Sequence, residues 1–285
     1  DYAKVGTNGV LTMIHRSGPA CTPPDGTPGS GYLMVDVSKE GGATWNVATS
    51  LGPLGDFGAN AARYPMAVVY NPTGNTLADS AFISYAAPGL TGTAAPWIAH
   101  HTGAAPVGDP MNYRQTTDLF GQTVNFWGLL PDCQFLDGTG TSWVLDLGQG
   151  VGGTQDYDDT LIVRKGTWSA SARQHVYTTT KLPFPVIVDT AQVGHYATAG
   201  TIAASANGQT VYMGIVANAD LAFQADTGFY VSVFKSTNGG TSWGAPYKVS
   251  MDVNSAMGTT GVKYSSAFQI DGAVDNAGKF HMNLD

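Results

Sequence analysis

Two eight-residue stretches, Ser38-Lys39-Glu40-Gly41-Gly42-Ala43-Thr44-Trp45 and Ser236-Thr237-Asn238-Gly239-Gly240-Thr241-Ser242-Trp243, are near copies of each other. Each follows an alternating or apolar run, Tyr32 to Val37 in one case and Phe229 to Phe234 in the other. That order predicts a hairpin turn that ends one strand and begins the next. The residue types suit such a turn. A hydroxyl at the first position and an acid or amide at the third can satisfy turn N–H groups, and the paired glycines accept positive φ. The closing Trp returns the chain to the sheet with a broad apolar face and one N–H donor.

A second pattern sets the scale of the fold. Five apolar strand pairs surround Gly-containing turns: Val5 to His15, Met66 to Tyr85, Cys133 to Leu145, Ile202 to Met213 and Gly272 to Met282. With Gly9, Gly74, Gly138, Gly208 and Gly278 as markers, the turns recur at nearly even intervals along the chain. Ser38 follows Gly9 at almost the same distance as Ser236 follows Gly208. A constant phase of this kind predicts one repeated unit of four strands, as in a propeller blade. In the third unit, Leu161 to Trp168 reads as a shortened copy of the eight-residue turn; in the second, Pro96 to His101 reads as a third strand with no such turn after it. The expected organisation is all-β: a β-propeller of four-stranded antiparallel blades over approximately 1–60, 61–127, 128–195 and 196–262, with the first hairpin of a fifth in 263–285.

The eight-residue stretches resemble the Asp-box, or BNR repeat, of sialidase-like propellers. The positions that match are Ser38, Glu40, Gly42, Thr44 and Trp45 in the first copy and Ser236, Asn238, Gly240, Ser242 and Trp243 in the second. Glu40 and Asn238 stand where the family has Asp, and Ser242 where it has Thr; each still accepts a hydrogen bond. Because propellers with this box commonly have six or more blades, the resemblance implies an incomplete ring, closed by the remainder of the same polypeptide or by another chain. A four-bladed ring closed by the fifth hairpin is the alternative. The segment Ala62 to Thr76 is similar to those of secreted Bacteroidota propellers of the type IX export class, which implies an extracellular or cell-surface location.

Composition agrees with a turn-rich β protein. The chain has 285 residues, 37 of them Gly and 15 Pro, and only 12% charged. Glu40 is the sole Glu beside 20 Asp, and a shift from a helix former to a turn former argues against helix. A net charge of −8 with 13 Lys and Arg offers no basic stripe for nucleic acid or anionic membrane. No apolar run reaches the ~20 residues that span a bilayer, and the start carries no signal-peptide pattern, so the expectation is a processed chain or a fragment. Cys21 and Cys133 allow either a disulfide or two buried thiols.

The family's chemistry is hard to place on these residues. The sialidase resemblance implies three arginines on a substrate carboxylate, a Tyr nucleophile activated by Glu, and an Asp acid/base. The arginines are Arg16, Arg63, Arg114, Arg164 and Arg173, and the single Glu lies in a peripheral turn. Asp156, Asp158 and Asp159 could offer oxygens to Ca²⁺ but lack the spacing of a known loop, so a solvated acidic turn before a strand from Thr160 to Val163 is the plainer reading. No other cofactor is expected. On a strand, His100-His101 and His195-Tyr196 would point to opposite faces, which prevents chelation by either pair. Tyr113, Phe120, Phe126 and Trp127, in the region from Thr102 to Leu130, form either a sugar-stacking platform or inter-blade packing. Tyr113, Trp127, Arg63 and Arg114 are the ligand-binding candidates, with glycans as the expected partner. The function expected is a non-catalytic binding or structural module of a larger secreted or surface protein. A glycoside hydrolase completed by residues outside this chain, or a self-assembling surface protein, are the alternatives.

Overall fold

The computed structural model of the chain describes residues 1–18, 31–52, 65–90, 97–118, 133–149, 157–184, 199–217, 230–249 and 270–284. These residues form 18 strands and one short 3-10 helix, Ala78–Ser80. Four antiparallel sheets of four strands follow one another in chain order. The first holds β1 (Tyr2–Val5), β2 (Asn8–Arg16), β3 (Leu33–Ser38) and β4 (Asn46–Ser50); the second holds β5 (Met66–Tyr70), β6 (Phe82–Leu90), β7 (Trp97–Pro106) and β8 (Arg114–Asp118). The third holds β9 (Gln134–Leu136), β10 (Ser142–Gln149), β11 (Tyr157–Ser169) and β12 (Gln174–Pro183). The fourth holds β13 (Ala199–Ala204), β14 (Val211–Ala217), β15 (Tyr230–Ser236) and β16 (Tyr247–Lys248), and β17 (Ile270–Val274) pairs with β18 (Phe280–Leu284).

Every sheet is a simple up-and-down meander, and the first strands meet in series: β1 with β5, β5 with β9, β9 with β13, and β13 with β17. That arrangement is a β-propeller of four-stranded antiparallel blades, with the first strands on the inside. A sheet between two neighbours is covered on both faces, so its central strands are apolar on both sides. In the fourth sheet, which has a neighbour on each side, all six residues of the innermost strand β13 are buried.

Three of the four gaps between successive sheets are filled by apolar side chains. Val10, Leu33 and Val35 meet Val69, Ile83 and Tyr85 between the first and second sheets. Trp143, Leu145 and Leu161 meet Ile202, Met213 and Phe234 between the third and fourth. Val216, Val231 and Val233 meet Ile270, with Phe280 packed against them. Between the second and third sheets the apolar set shrinks to Met66, Ala86 and Val144, with Tyr177 beside them. Aromatic rings, Tyr70 and Phe82 against Trp168, and polar side chains fill the rest of that seam.

The structure relocates several sequence expectations. The first turn glycine is Gly6, not Gly9, because Val5 pairs with Asn8; the third is Gly140, not Gly138. Gly6, Gly74, Gly140, Gly208 and Gly278 all have positive φ, and their spacing along the chain is more nearly equal than the one Gly9 and Gly138 give. Leu161 to Trp168 is not a shortened eight-residue turn: the whole segment belongs to β11, and the chain reverses after Trp168. Asp158 and Asp159 also belong to β11, so they do not form a turn before it.

Candidate functional site

The two box hairpins form as their residues dictate. Ser38 Oγ accepts from the Glu40 and Gly42 N–H groups at 3.4 and 2.8 Å; Ser236 Oγ does the same for Asn238 and Gly240 at 3.4 and 2.9 Å. Glu40 accepts from the Thr44 hydroxyl at 2.9 Å, while Asn238 donates to the Ser242 hydroxyl at 2.8 Å and accepts from its N–H at 2.9 Å. Both hairpins tie back to the first hairpin of their sheet, Gly41 N–H to the Gly9 carbonyl at the start of β2 and Gly239 N–H to that of Gln209 in the turn before β14. Glu40 with Thr44 and Asn238 with Ser242 therefore close the same turn with different donor and acceptor pairs. Trp45 Nε1 closes its turn on the Gly42 carbonyl at 3.1 Å.

The polar seam follows from strand register. In the third sheet, pairing places Gln134, Ser142, Val144, Asp146, Arg164, Trp168, His175 and Tyr177 on one face. Opposite them stand Met66, Tyr70, Phe82, Ser84 and Ala86 of the second sheet. His175 bridges the two. Its Nε2 lies 3.0 Å from the Gly140 carbonyl, which only accepts, so Nε2 carries the proton. Nδ1 is then the acceptor, and the Ser84 hydroxyl donates to it at 2.8 Å. Burial holds the imidazole pKa below its ordinary value, against the opposing pull of the Gly140 carbonyl and the Asp137 charge. Around it, Tyr70 stacks on Trp168 with centroids 4.3 Å apart, and both rings meet His175 edge-on at 5.2 Å.

Deeper in the seam, the Tyr177 and Ser142 hydroxyls lie 2.9 Å apart, and Gln134 Nε2 donates to Ser142 Oγ at 3.1 Å. Burial raises the Tyr177 pKa, so the phenol stays protonated. Arg164 and Asp146 form an ion pair at 3.1 Å with both side chains essentially inaccessible. Ser142, Asp146 and Arg164 are buried, and Gln134 and Tyr177 partly buried, so the inner groups of the seam join the sheets and do not meet solvent.

At its inner edge lies a cavity of about 330 Å³ between β1, β5 and β9. Asp1, Tyr2, Tyr70, Asn71, Gln134 and Asp137 supply its polar walls; the Asp1 carboxylate accepts from Val69 N–H at 2.6 Å and its ammonium donates to the Thr12 carbonyl. Among the described residues, Gln134 Oε1 is buried there with no hydrogen-bond partner. Asp137 is fully engaged: one oxygen accepts from Thr139 N–H, the Thr139 hydroxyl and Thr141 N–H, and the other from Trp143 Nε1 at 2.9 Å. The cavity thus brings two tyrosines, one unpartnered carboxamide oxygen and the terminal Asp1 together, a set that suits a hydroxyl-bearing ligand.

The residues expected to bind ligand are not gathered at this cavity. Tyr113 lies in the turn before β8, packs against the core between the first two sheets and places its hydroxyl over Gly52. Arg114, the first residue of β8, is exposed and donates to Asn112 Oδ1 and the Tyr113 carbonyl. Within the region from Thr102 to Leu130, β7 runs to Pro106 and β8 spans Arg114–Asp118, and residues 119–130 lie outside the described residues. Arg63, Phe120, Phe126, Trp127, Asp156, His195 and Cys21 lie outside the described residues; Cys133 is buried beside Trp143. The described arginines occupy separate elements: Arg16 in β2, Arg114 in β8, Arg164 in β11 and Arg173 in the turn after β11. Sequence reasoning missed His175, Ser84, Tyr177, Asp146 and Arg164. Their alternation with apolar neighbours along β10 to β12 is a signal, but only pairing shows that they share a face.

Fold and seam together define an all-β propeller chain with a polar gap between its second and third blades. No family model and no curated protein matches the sequence. Among solved structures, a thermostable family-43 glycoside hydrolase is similar over 99% of this chain and 84% of its own, with 11% identity and a TM-score of 0.41.

Proposed function

We propose that this chain is an Asp-box propeller module that binds its ligand without transforming it, as part of a larger secreted or cell-surface protein, and that the ligand is a glycan. The observation that carries the reading is the fate of the acids. Glu40, the only Glu in the sequence, accepts from Thr44 inside an exposed turn. Asp137 is committed to Trp143 and its own turn, and Asp146 to buried Arg164. Glycosidase chemistry with paired carboxylates requires two such groups facing one bond at a separation of roughly 5 to 10 Å.

The axial cavity supports a binding role. Its volume of about 330 Å³ sits at the lower end of the ~300–1,000 Å³ range of small-molecule sites. Tyr2 and Tyr70 provide flat apolar faces with polar edges, the pairing that suits a sugar ring. Binding to immobilised glycans tests this. Tyr70→Ala and Gln134→Ala are expected to weaken retention at least tenfold, and Trp127→Ala measures the loop aromatic's share. Retention unchanged by both cavity variants would move the site elsewhere; absence of any retained glycan would overturn the reading.

A further inference from the structure

The seam between the second and third sheets is crossed by Tyr70 and Phe82 against Trp168, by Met66 and Ala86 against Val144, by Gln174 on Thr116, and, buried among them, by the hydrogen bond between His175 and Ser84. Neutral His175 fits because its two nitrogens play different roles: Nε2 donates to Gly140 of the β9–β10 turn, and Nδ1 accepts from Ser84 of β6. A second proton changes this. Nδ1 becomes a donor aimed at Ser84 Oγ, whose own proton must then turn toward another acceptor; the Tyr177 hydroxyl beside it is already joined to Ser142 and through it to Gln134. The new charge is also buried.

The titratable and charged groups around it do little to offset that charge. Tyr70 of β5 meets the imidazole in a T-shaped ring contact and carries no charge. Asp137 of the β9–β10 turn attracts it but is bound to four donors. From β11, Arg164 is paired with Asp146 and Lys165 Nζ donates to Gly239 of the fourth sheet. Arg173, in the turn just before β12, rests over Phe82 at 5.7 Å. Tyr177 lies on the same strand, its ring centroid 6.2 Å away, and β7 contributes His101, which is buried. No carboxylate other than Asp137 approaches from these elements among the described residues.

We propose that the Ser84–His175–Gly140 bridge is an acid-released lock between the second and third sheets: closed while His175 is neutral, loosened when it is protonated. The sign follows from linkage. Burial lowers the folded pKa below the unfolded value of 6.5, so the bridge's stability is present above that value and declines as pH falls through the folded pKa.

Melting temperature between pH 7.5 and 5.5 tests the lock in the full chain and in His175→Gln, whose carboxamide can make both hydrogen bonds but does not titrate. The wild type is expected to lose several degrees more than the variant as pH falls, so the gap between them narrows toward acid. Surface pairs such as His15–Asp36 and His281–Asp275 are common to both proteins and cancel. Parallel curves would overturn the proposal. If His175→Gln does not fold, a histidine-selective NMR titration of the wild type decides: one of the six imidazoles should remain neutral well below pH 6.5, coupled to loss of exchange protection confined to β6 and β12. Six ordinary titrations, or protection lost uniformly, would overturn it.

Discussion

Gly240 and Gly74 separate two demands that a repeat makes on a single residue. Both have positive φ, +78° and +79°. A Cβ at Gly74 would meet nothing within 4 Å, whereas at Gly240 it would meet the buried indole of Trp143 at 2.7 Å. Gly74→Ala is therefore expected to cost only the backbone term, about 1 to 2 kcal/mol. Gly240→Ala adds overpacking of about 1 to 3 kcal/mol, because Trp143 is pinned by Asp137 and cannot swing away. Urea midpoints of the two variants at a common m-value check the difference, and equal shifts would contradict the packing argument. The same contact explains why a box in the fourth sheet matters to the third: Lys165 reaches over the Trp143 ring to the Gly239 carbonyl at 2.9 Å.

Strands and turns respond to different information. Apolar alternation and turn chemistry are local, which is why the five inner hairpins, the third strand at Trp97 and the two box turns are all legible in the sequence. Gly6 and Gly140 are harder to pick out because nearby glycines, Gly9 and Gly138, compete for the same role in the string; only cross-strand register separates them. Trp168 misleads for a related reason. A Gly-Thr-Trp ending resembles the close of a box, yet here it extends β11, where pairing with β12 continues to Ser169. The candidate site is the least legible part. Asp146 and Arg164 lie on different strands, β10 and β11, and neither has a local signature; they meet because Val144 and Arg164 are register partners. Removing one member leaves a buried charge, so Arg164→Met is expected to destabilise by about 3 to 5 kcal/mol. Adding Asp146→Leu should recover much of that loss, since a well-packed apolar pair is often neutral or better. Chemical denaturation of both variants checks it; a double variant as unstable as the single would show that the pair does more than fill the seam.

At the scale of the molecule, the sheets form a series in which three gaps are apolar and one is polar. Apolar gaps respond weakly to pH, so acid should act first where His175 stands, and the wild type should lose the coupling of its second and third blades before the others. Ligand binding is a property of the same scale, because the cavity is walled by three different blades through β1, β5 and β9. A variant that opens the seam, such as Ser84→Ala, is expected to weaken glycan retention by a few fold at pH 7.5 and by less at pH 5.5, where the wild-type bridge is already loosened. The central claim is that the propeller holds a glycan and leaves it intact. Its most direct test is a glycan array read twice, for retained protein and, spot by spot, for the mass of the immobilised sugar. The account predicts saturable retention on a restricted set of glycans whose masses do not change. Shortened glycans at the retaining spots, or no retention at any spot, would contradict it.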